Sequence, residues 1–169
     1  PISITKILNE SGASQIKVAE NETDSNEIWE ARRASFAATA RLAPDVISDD
    51  IIVPRKHIAE MVYKCREITQ KYDLKMCMVG HAGDGNIHPQ IALNLESPSE
   101  FENYMNAKAE IYKEVKNFGG TISAEHGIGI EKKAFLKDIV DENALNYMKL
   151  IKKNFDPKNI LNPNKIFEL

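Results

Sequence analysis

Long apolar stretches are missing from this 169-residue sequence. No run approaches the roughly 18 residues that a membrane-spanning helix needs. An excess of one charge is missing too. Twenty-two Lys and Arg against 25 Asp and Glu leave a net charge of −3, which offers no electrostatic footprint for nucleic acid or an anionic membrane. No signal-peptide pattern opens the chain. There are only two cysteines, Cys65 in a helical pattern and Cys77 in a strand pattern, both read as small buried hydrophobes. Without an export signal, such thiols point to a reducing cytoplasm. Nothing resembles a G-x-G-x-x-G or P-loop phosphate cradle, and there is no repeat or low-complexity linker. The hydrophobic share of 43% and charged share of 28% suit a globular chain long enough to bury a core.

What is present is concentrated in Gly80-His81-Ala82-Gly83-Asp84-Gly85-Asn86-Ile87-His88. Residues 74–79 read as a buried strand, and residues 87–94 alternate like a second. Between them, Asp84-Gly85 signals a two-residue hairpin, because a type I′ turn needs φ > 0 at both central positions. That turn would set Gly83 opposite Asn86, Ala82 opposite Ile87 and His81 opposite His88. Opposed residues share a face, with Cβ atoms about 4.5–5.5 Å apart, so the two imidazoles could close on one metal ion. The glycines leave that face open to close approach. The plainer alternative is a glycine-rich turn with two solvated histidines.

A second stretch, Ser123-Ala124-Glu125-His126-Gly127-Ile128-Gly129, sets a carboxylate beside an imidazole. In an extended segment neighbouring side chains point to opposite faces. One of the two would then complete a three-ligand site with an open position, and the other would serve as a base poised near neutral pH. A surface Glu-His pair in a loop is the alternative.

These two motifs, followed by Leu161-Asn162-Pro163-Asn164-Lys165, together resemble the C-terminal domain of FAD-linked oxidases. That group includes D-lactate dehydrogenases, D-2-hydroxyglutarate dehydrogenases and the D subunit of glycolate oxidase; residues 29–54 resemble the last most. The resemblance covers nearly the whole chain. It implies a ferredoxin-like α/β sandwich followed by C-terminal helices, with FAD held mainly by a separate N-terminal domain. The chain also opens abruptly on Pro1-Ile2-Ser3-Ile4, so a fragment lacking the flavin domain and a first strand is expected.

Taken in order, residues 3–11 read as a helix stopped by Gly12, and residues 15–19 as a short strand. Asp24-Ser25-Asn26-Glu27 offers a helix cap, and the helix that follows carries Ile28, Trp29, Arg32, Phe36 and Ala40 on one stripe. Arg32 leaves from that apolar stripe and needs an anionic partner, whereas Arg33, about 100° away, should be solvated. The physics leaves an internal ion pair and a bound anion equally open. The resemblance favours Arg32 as the holder of a substrate carboxylate, although Phe36 stands where some relatives carry threonine. Residues 45–53 read as a strand, and the next helix shows Ile58, Met61, Cys65 and Ile68. Ser97-Pro98-Ser99-Glu100 caps a long amphipathic helix stopped by Gly119-Gly120. Residues 131–138 look helical, and residues 141–155 form a helix expected to be buried through Leu145, Met148 and Ile151. Strands alternating with helices around one tight hairpin suggest α+β with a mixed or antiparallel sheet. The division expected is 1–130, carrying substrate, and 131–169, a helical segment and tail returning to the flavin domain.

Two chemistries fit. In the first, the chain is the substrate- and metal-binding part of an FAD-dependent dehydrogenase acting on a small D-2-hydroxy acid such as glycolate or D-lactate. His81, His88 and Glu125 would hold a divalent ion, zinc or manganese, and His126 would take the hydroxyl proton. Arg32 would grip the carboxylate, and Gln90, on the face of His88, would also reach substrate. By resemblance, Asn162 and Lys165 would lie on the flavin side. The partners expected are an FAD-binding domain or subunit, an electron-transfer subunit and a second copy of the chain. In the second, a metal-dependent hydrolase would use the same histidines and glutamate to activate water. A third, non-enzymatic reading is a subunit that lends a surface to a flavoprotein.

Overall fold

The computed structural model describes residues 2–169; Pro1, part of the abrupt opening noted above, lies outside them. In chain order come helices α1 (Ile2–Glu10) and α2 (Glu22–Thr39), strands β1 (Asp45–Ser48) and β2 (Ile51–Ile52), a 3₁₀ turn (Arg55–His57) and helix α3 (Ile58–Lys71). Strands β3 (Lys75–His81) and β4 (Asn86–Leu93) follow, then helices α4 (Pro98–Asn117), α5 (Lys133–Ile139) and α6 (Glu142–Phe155). The chain divides into two compact units, up to Ala37 and Ala38–Leu169. Among the described residues no helix is long and apolar enough to cross a membrane.

In the second unit β4 is the middle strand, buried along its whole length. Strand β3 runs antiparallel along one edge, from Lys75↔Ala92 to His81↔Asn86. Strands β1 and β2 lie end to end along the other in one register, from Asp45↔Leu93 to Ile52↔Asn86. The expected strand over 45–53 is therefore a single strand interrupted at Asp49-Asp50. Outside β2 one bridge forms, Ile52↔Thr121. The order strand–helix–strand–strand–helix–strand, its last strand reduced to that bridge, is the ferredoxin-like arrangement. All these pairings are antiparallel.

Alternation along β4 sends Ile87, Pro89, Ile91 and Leu93 to one face and Asn86, His88, Gln90 and Ala92 to the other. Helices α3 and α4 pack against the first face and each other. Helix α3 turns in Met61, Cys65 and Ile68, and α4 turns in Tyr104, Ala107, Ile111 and Val115, both at helical spacing. Each aliphatic side chain so buried contributes about 1.5–3 kcal/mol. The expected cap of α4 is present: Ser97 Oγ accepts from the Glu100 N–H, with Pro98 in the first turn. Burial pushes the Cys65 thiol up to about 12, which leaves it inert. Cys77 is only half-buried.

The hairpin departs from the expected register. His81 pairs with Asn86, and Val79 with His88, so the pairing slides by two residues and the loop is Ala82-Gly83-Asp84-Gly85. Both Asp84 and Gly85 donate their N–H to the His81 carbonyl. Gly85 has φ +83°, and a Cβ there would stand 2.2 Å from the Val53 carbonyl oxygen. The loop is long because it must also dock on β2: the Val53 N–H donates to the Gly85 carbonyl at 3.0 Å.

In the first unit, residues 15–19 form no strand; among the described residues no strand pairs with them, and Lys17 instead reaches Glu27 of α2 at 2.8 Å. Helix α2 begins earlier than its expected cap, at Glu22, because Asn21 Oδ1 accepts from the Asp24 N–H at 2.9 Å. Its apolar stripe is not buried: Ile28, Trp29 and Phe36 are all exposed. In the second unit α6 likewise buries no residue. Leu145 is half-buried, but Met148 and Ile151 are 42% and 59% exposed, contrary to the burial expected for them.

Candidate metal centre

Three segments bring polar groups to the sheet face opposite α3 and α4. Strand β3 supplies His81 at its end, β4 supplies His88, and the loop between α4 and α5 supplies Glu125 and His126. Because the register slides by an even number, His81 and His88 keep to one face as diagonal neighbours. Their rings stand edge to face with centroids 5.4 Å apart. Glu125 Oε1 lies 3.1 Å from His88 Nε2 and 3.6 Å from His81 Nε2. All three ligand atoms fall within 4.8 Å of one another. Bonds of about 2.0–2.1 Å to a tetrahedral ion set its ligand atoms about 3.3 Å apart, so the spacing fits. His88 is buried, whereas the side chains of His81 and Glu125 are 48% and 53% exposed. The cluster thus opens to solvent on one flank.

The orientation of His88 follows from the strand that carries it. Its Nδ1 is 3.2 Å from the Asp49 carbonyl oxygen. A carbonyl only accepts, so Nδ1 carries a hydrogen, and it is the neutral ring in this tautomer that turns an Nε2 lone pair toward Glu125. That carbonyl is available because of Pro89. The Asp49 N–H donates to the Pro89 carbonyl at 2.9 Å. In an antiparallel pair the return bond would come from the N–H of residue 89, which proline lacks. The imidazole takes the vacant acceptor. A nitrogen lone pair and a carboxylate oxygen then face each other 3.1 Å apart, a donor set suited to a divalent cation.

Glu125 and His126 do not lie on opposite sides, because their segment is not extended. It wraps around Asp50, whose Oδ2 accepts from Ser123 Oγ at 3.0 Å and from the N–H groups of Ala124, Glu125 and His126 at 2.8, 2.9 and 2.8 Å. Three successive amides closing on one anion form a nest. His126 therefore also turns toward the cluster, with Nε2 3.9 Å from Glu125 Oε1 and its ring stacked on His88 at 5.1 Å. Burial drives the Asp50 carboxyl up, but the amides of His126, Glu125 and Ala124 and the Ser123 hydroxyl outweigh it and hold it at about 2.

Asp49 points the other way, into the core. It accepts from the Tyr112 hydroxyl at 2.8 Å and pairs with Lys132 Nζ at 2.9 Å. Lys132 also donates to the carbonyls of Asp50 and Ile122 at 2.8 and 2.7 Å. Burial, and then the charge of Asp49, push the Tyr112 hydroxyl well above its ordinary range. Sequence reasoning missed Asp49, Asp50, Pro89 and Lys132. The available signal was two adjacent acids inside an otherwise apolar strand run, since buried carboxylates require partners.

The remaining expected residues are dispersed. Gln90 is buried on the face of His88, as alternation required, and its Oε1 accepts from Thr39 Oγ1 at 3.1 Å. Asn86, between the histidines, places Nδ2 3.5 Å from Glu125 Oε1. Arg32 belongs to the first unit, on α2, exposed like Arg33, with Nη1 3.5 Å from Ser35 Oγ. Asn162 and Lys165 line an apolar groove with Met148, Ile151, Phe155 and Phe167.

The model of a family described as "FAD linked oxidases, C-terminal domain" matches residues 3–166. The glycolate oxidase subunit GlcD of Bacillus subtilis is 40% identical over 164 residues, 97% of this chain and 35% of that protein. GlcD of Escherichia coli K12 is 33% identical over 96% of the chain and 32% of its own length. The mitochondrial D-lactate dehydrogenase [cytochrome] of Kluyveromyces lactis is 32% identical over 98% of the chain and 29% of its own length. The chain thus spans about a third of the length of these curated relatives.

Proposed function

Because the chain belongs to the family of C-terminal domains of FAD-linked oxidases, we propose that it carries the substrate side of a flavin-dependent dehydrogenase for a small D-2-hydroxy acid. The observation that carries this reading is the convergence of His81, His88 and Glu125 on one point, with His126 alongside. Glycolate and D-lactate are the substrates suggested by the names of its relatives.

His81, His88 and Glu125 would hold a divalent ion, zinc or manganese. When bound, that ion supplies Lewis acidity toward the hydroxyl and carboxylate oxygens of the substrate. His126, 46% exposed at the open flank, accepts the hydroxyl proton at Nε2. Gln90 orients the substrate from the floor of the site. Arg32 holds the carboxylate through charge-assisted hydrogen bonds. FAD, when bound, supplies the hydride acceptor. With no glycine-rich phosphate cradle in this sequence, FAD is held mainly outside these 169 residues. Residues 131–169 return to that flavin-binding part, Asn162 and Lys165 facing it. The exposed apolar residues Phe155, Leu161 and Ile151 around the groove support a covering partner. An electron-transfer subunit and a homodimer complete the assembly, since the GlcD relatives are subunits by name. The two unpaired thiols, Cys65 and Cys77, favour a cytoplasmic setting.

The test is a screen of small D-2-hydroxy acids against the full-length flavoprotein, read as bleaching of its flavin absorbance. Bleaching by none of them, with zinc-dependent ester or amide hydrolysis instead, would replace this reading by the hydrolase. In the same assay Arg32→Ala is expected to raise KM by about 10-fold or more, because a hydrogen bond to a charged group contributes about 1.5–3 kcal/mol. Arg33→Ala should leave KM nearly unchanged. Equal losses in the two variants would remove Arg32 from the site.

A further inference from the structure

We propose that Asp50 is the positioning residue that fixes the Glu125-His126 segment against His88. The inference rests on the reading of His81, His88 and Glu125 as metal ligands and deepens it. Asp50 is fully buried, yet it belongs to neither the ligand set nor the core ion pair of Asp49. Its Oδ2 gathers four donors at 2.8–3.0 Å, three of them the successive amides of Ala124, Glu125 and His126. Ser123 adds a second tie by accepting from the Gly127 N–H at 2.8 Å. Its other oxygen, Oδ1, has no hydrogen-bond partner and stands 3.9 Å from His88 Nδ1. One carboxylate thereby faces both halves of the site, the strand that carries His88 and the loop that carries Glu125 and His126.

The loop has little else to define its backbone. No ladder runs through residues 123–126, and amides without partners in a loop sample many conformations. Anchoring three of them on one anion fixes where the Cα–Cβ bonds of Glu125 and His126 begin. Outer partners of this kind change metal affinity without touching the metal. Asn at position 50 would keep the shape but lose the charge. Its amide group, placed in either orientation, would set N–H donors against the loop amides or against the His88 Nδ1–H.

Titration of the chain with Co²⁺, followed by visible absorption, tests the assignment. The unmodified chain is expected to bind one Co²⁺. Asp50→Asn should bind it about 10–100-fold more weakly, with altered ligand-field bands and an unchanged far-ultraviolet circular dichroism spectrum. Ser123→Ala, which removes one donor of four, should lose affinity several-fold. If circular dichroism shows Asp50→Asn unfolded, Ser123→Ala decides. Variants that are folded and bind Co²⁺ as tightly as the unmodified chain, with the same bands, would overturn the role of Asp50 and leave the ligand set standing. An unmodified chain that takes up no Co²⁺ would overturn the ligand set, and the inference with it.

Discussion

Replacing His88 by alanine is expected to abolish stoichiometric metal. Elemental analysis of the zinc- or manganese-loaded protein should fall from one ion per chain to background. The expectation is large because His88 is the buried member of the proposed ligand set, with Nδ1 held 3.2 Å from the Asp49 carbonyl oxygen. An imidazole already held in its binding orientation loses little freedom on coordination, so its removal takes the best-placed donor. His81→Ala should weaken binding less, since that side chain is half-exposed and less restrained. The double variant should match His88→Ala. Full metal content in the double variant would show that the ion sits elsewhere.

The second large effect concerns stability. Lys132→Met should destabilise the fold by about 3–5 kcal/mol, the usual penalty for leaving one member of a buried ion pair without its partner. Lys132 is 3% exposed and joins Asp49, the Asp50 carbonyl and the Ile122 carbonyl. Methionine fills similar space but satisfies none of them, and leaves the Asp49 carboxylate with the Tyr112 hydroxyl, the Asp50 N–H at 2.7 Å and the more distant Lys108 ammonium at 4.0 Å. Urea denaturation monitored by circular dichroism reads the change. A loss below about 1 kcal/mol would mean that water or a rearranged partner replaces the ammonium.

Much of the candidate site was legible in the sequence because strand parity is robust. The turn type assigned to Asp84-Gly85 was wrong, yet an error of two residues leaves His81 and His88 on one face. An error of one would have hidden the cluster. Glu125 and His126 were found from chemistry rather than geometry, and the extended backbone assumed for them did not hold. What shapes that backbone is Asp50, 74 to 76 residues earlier for the three amides. No local pattern announces a contact across that separation. Helices α2 and α6 show a different limit. Their stripes are correctly periodic, but periodicity tells which residues share a side, not whether anything covers it. Ile28, Trp29, Phe36 and Ile151 are all exposed.

Pro89 makes regularity and reactivity rivals for a single carbonyl. A central strand is a poor place for proline, and valine there would restore the N–H that the ladder expects from residue 89. The returned bond would compete with the His88 Nδ1–H for the Asp49 oxygen and loosen its hold on the ring. Pro89→Val should therefore raise the urea midpoint while weakening Co²⁺ binding, provided valine packs in the fully buried space of the ring. A variant that gains in both would show that the imidazole needs no such guide. Selection for thermal robustness alone would then tend to erase the irregularity that aims the ligand, so stabilised versions of this fold are best made with position 89 held fixed.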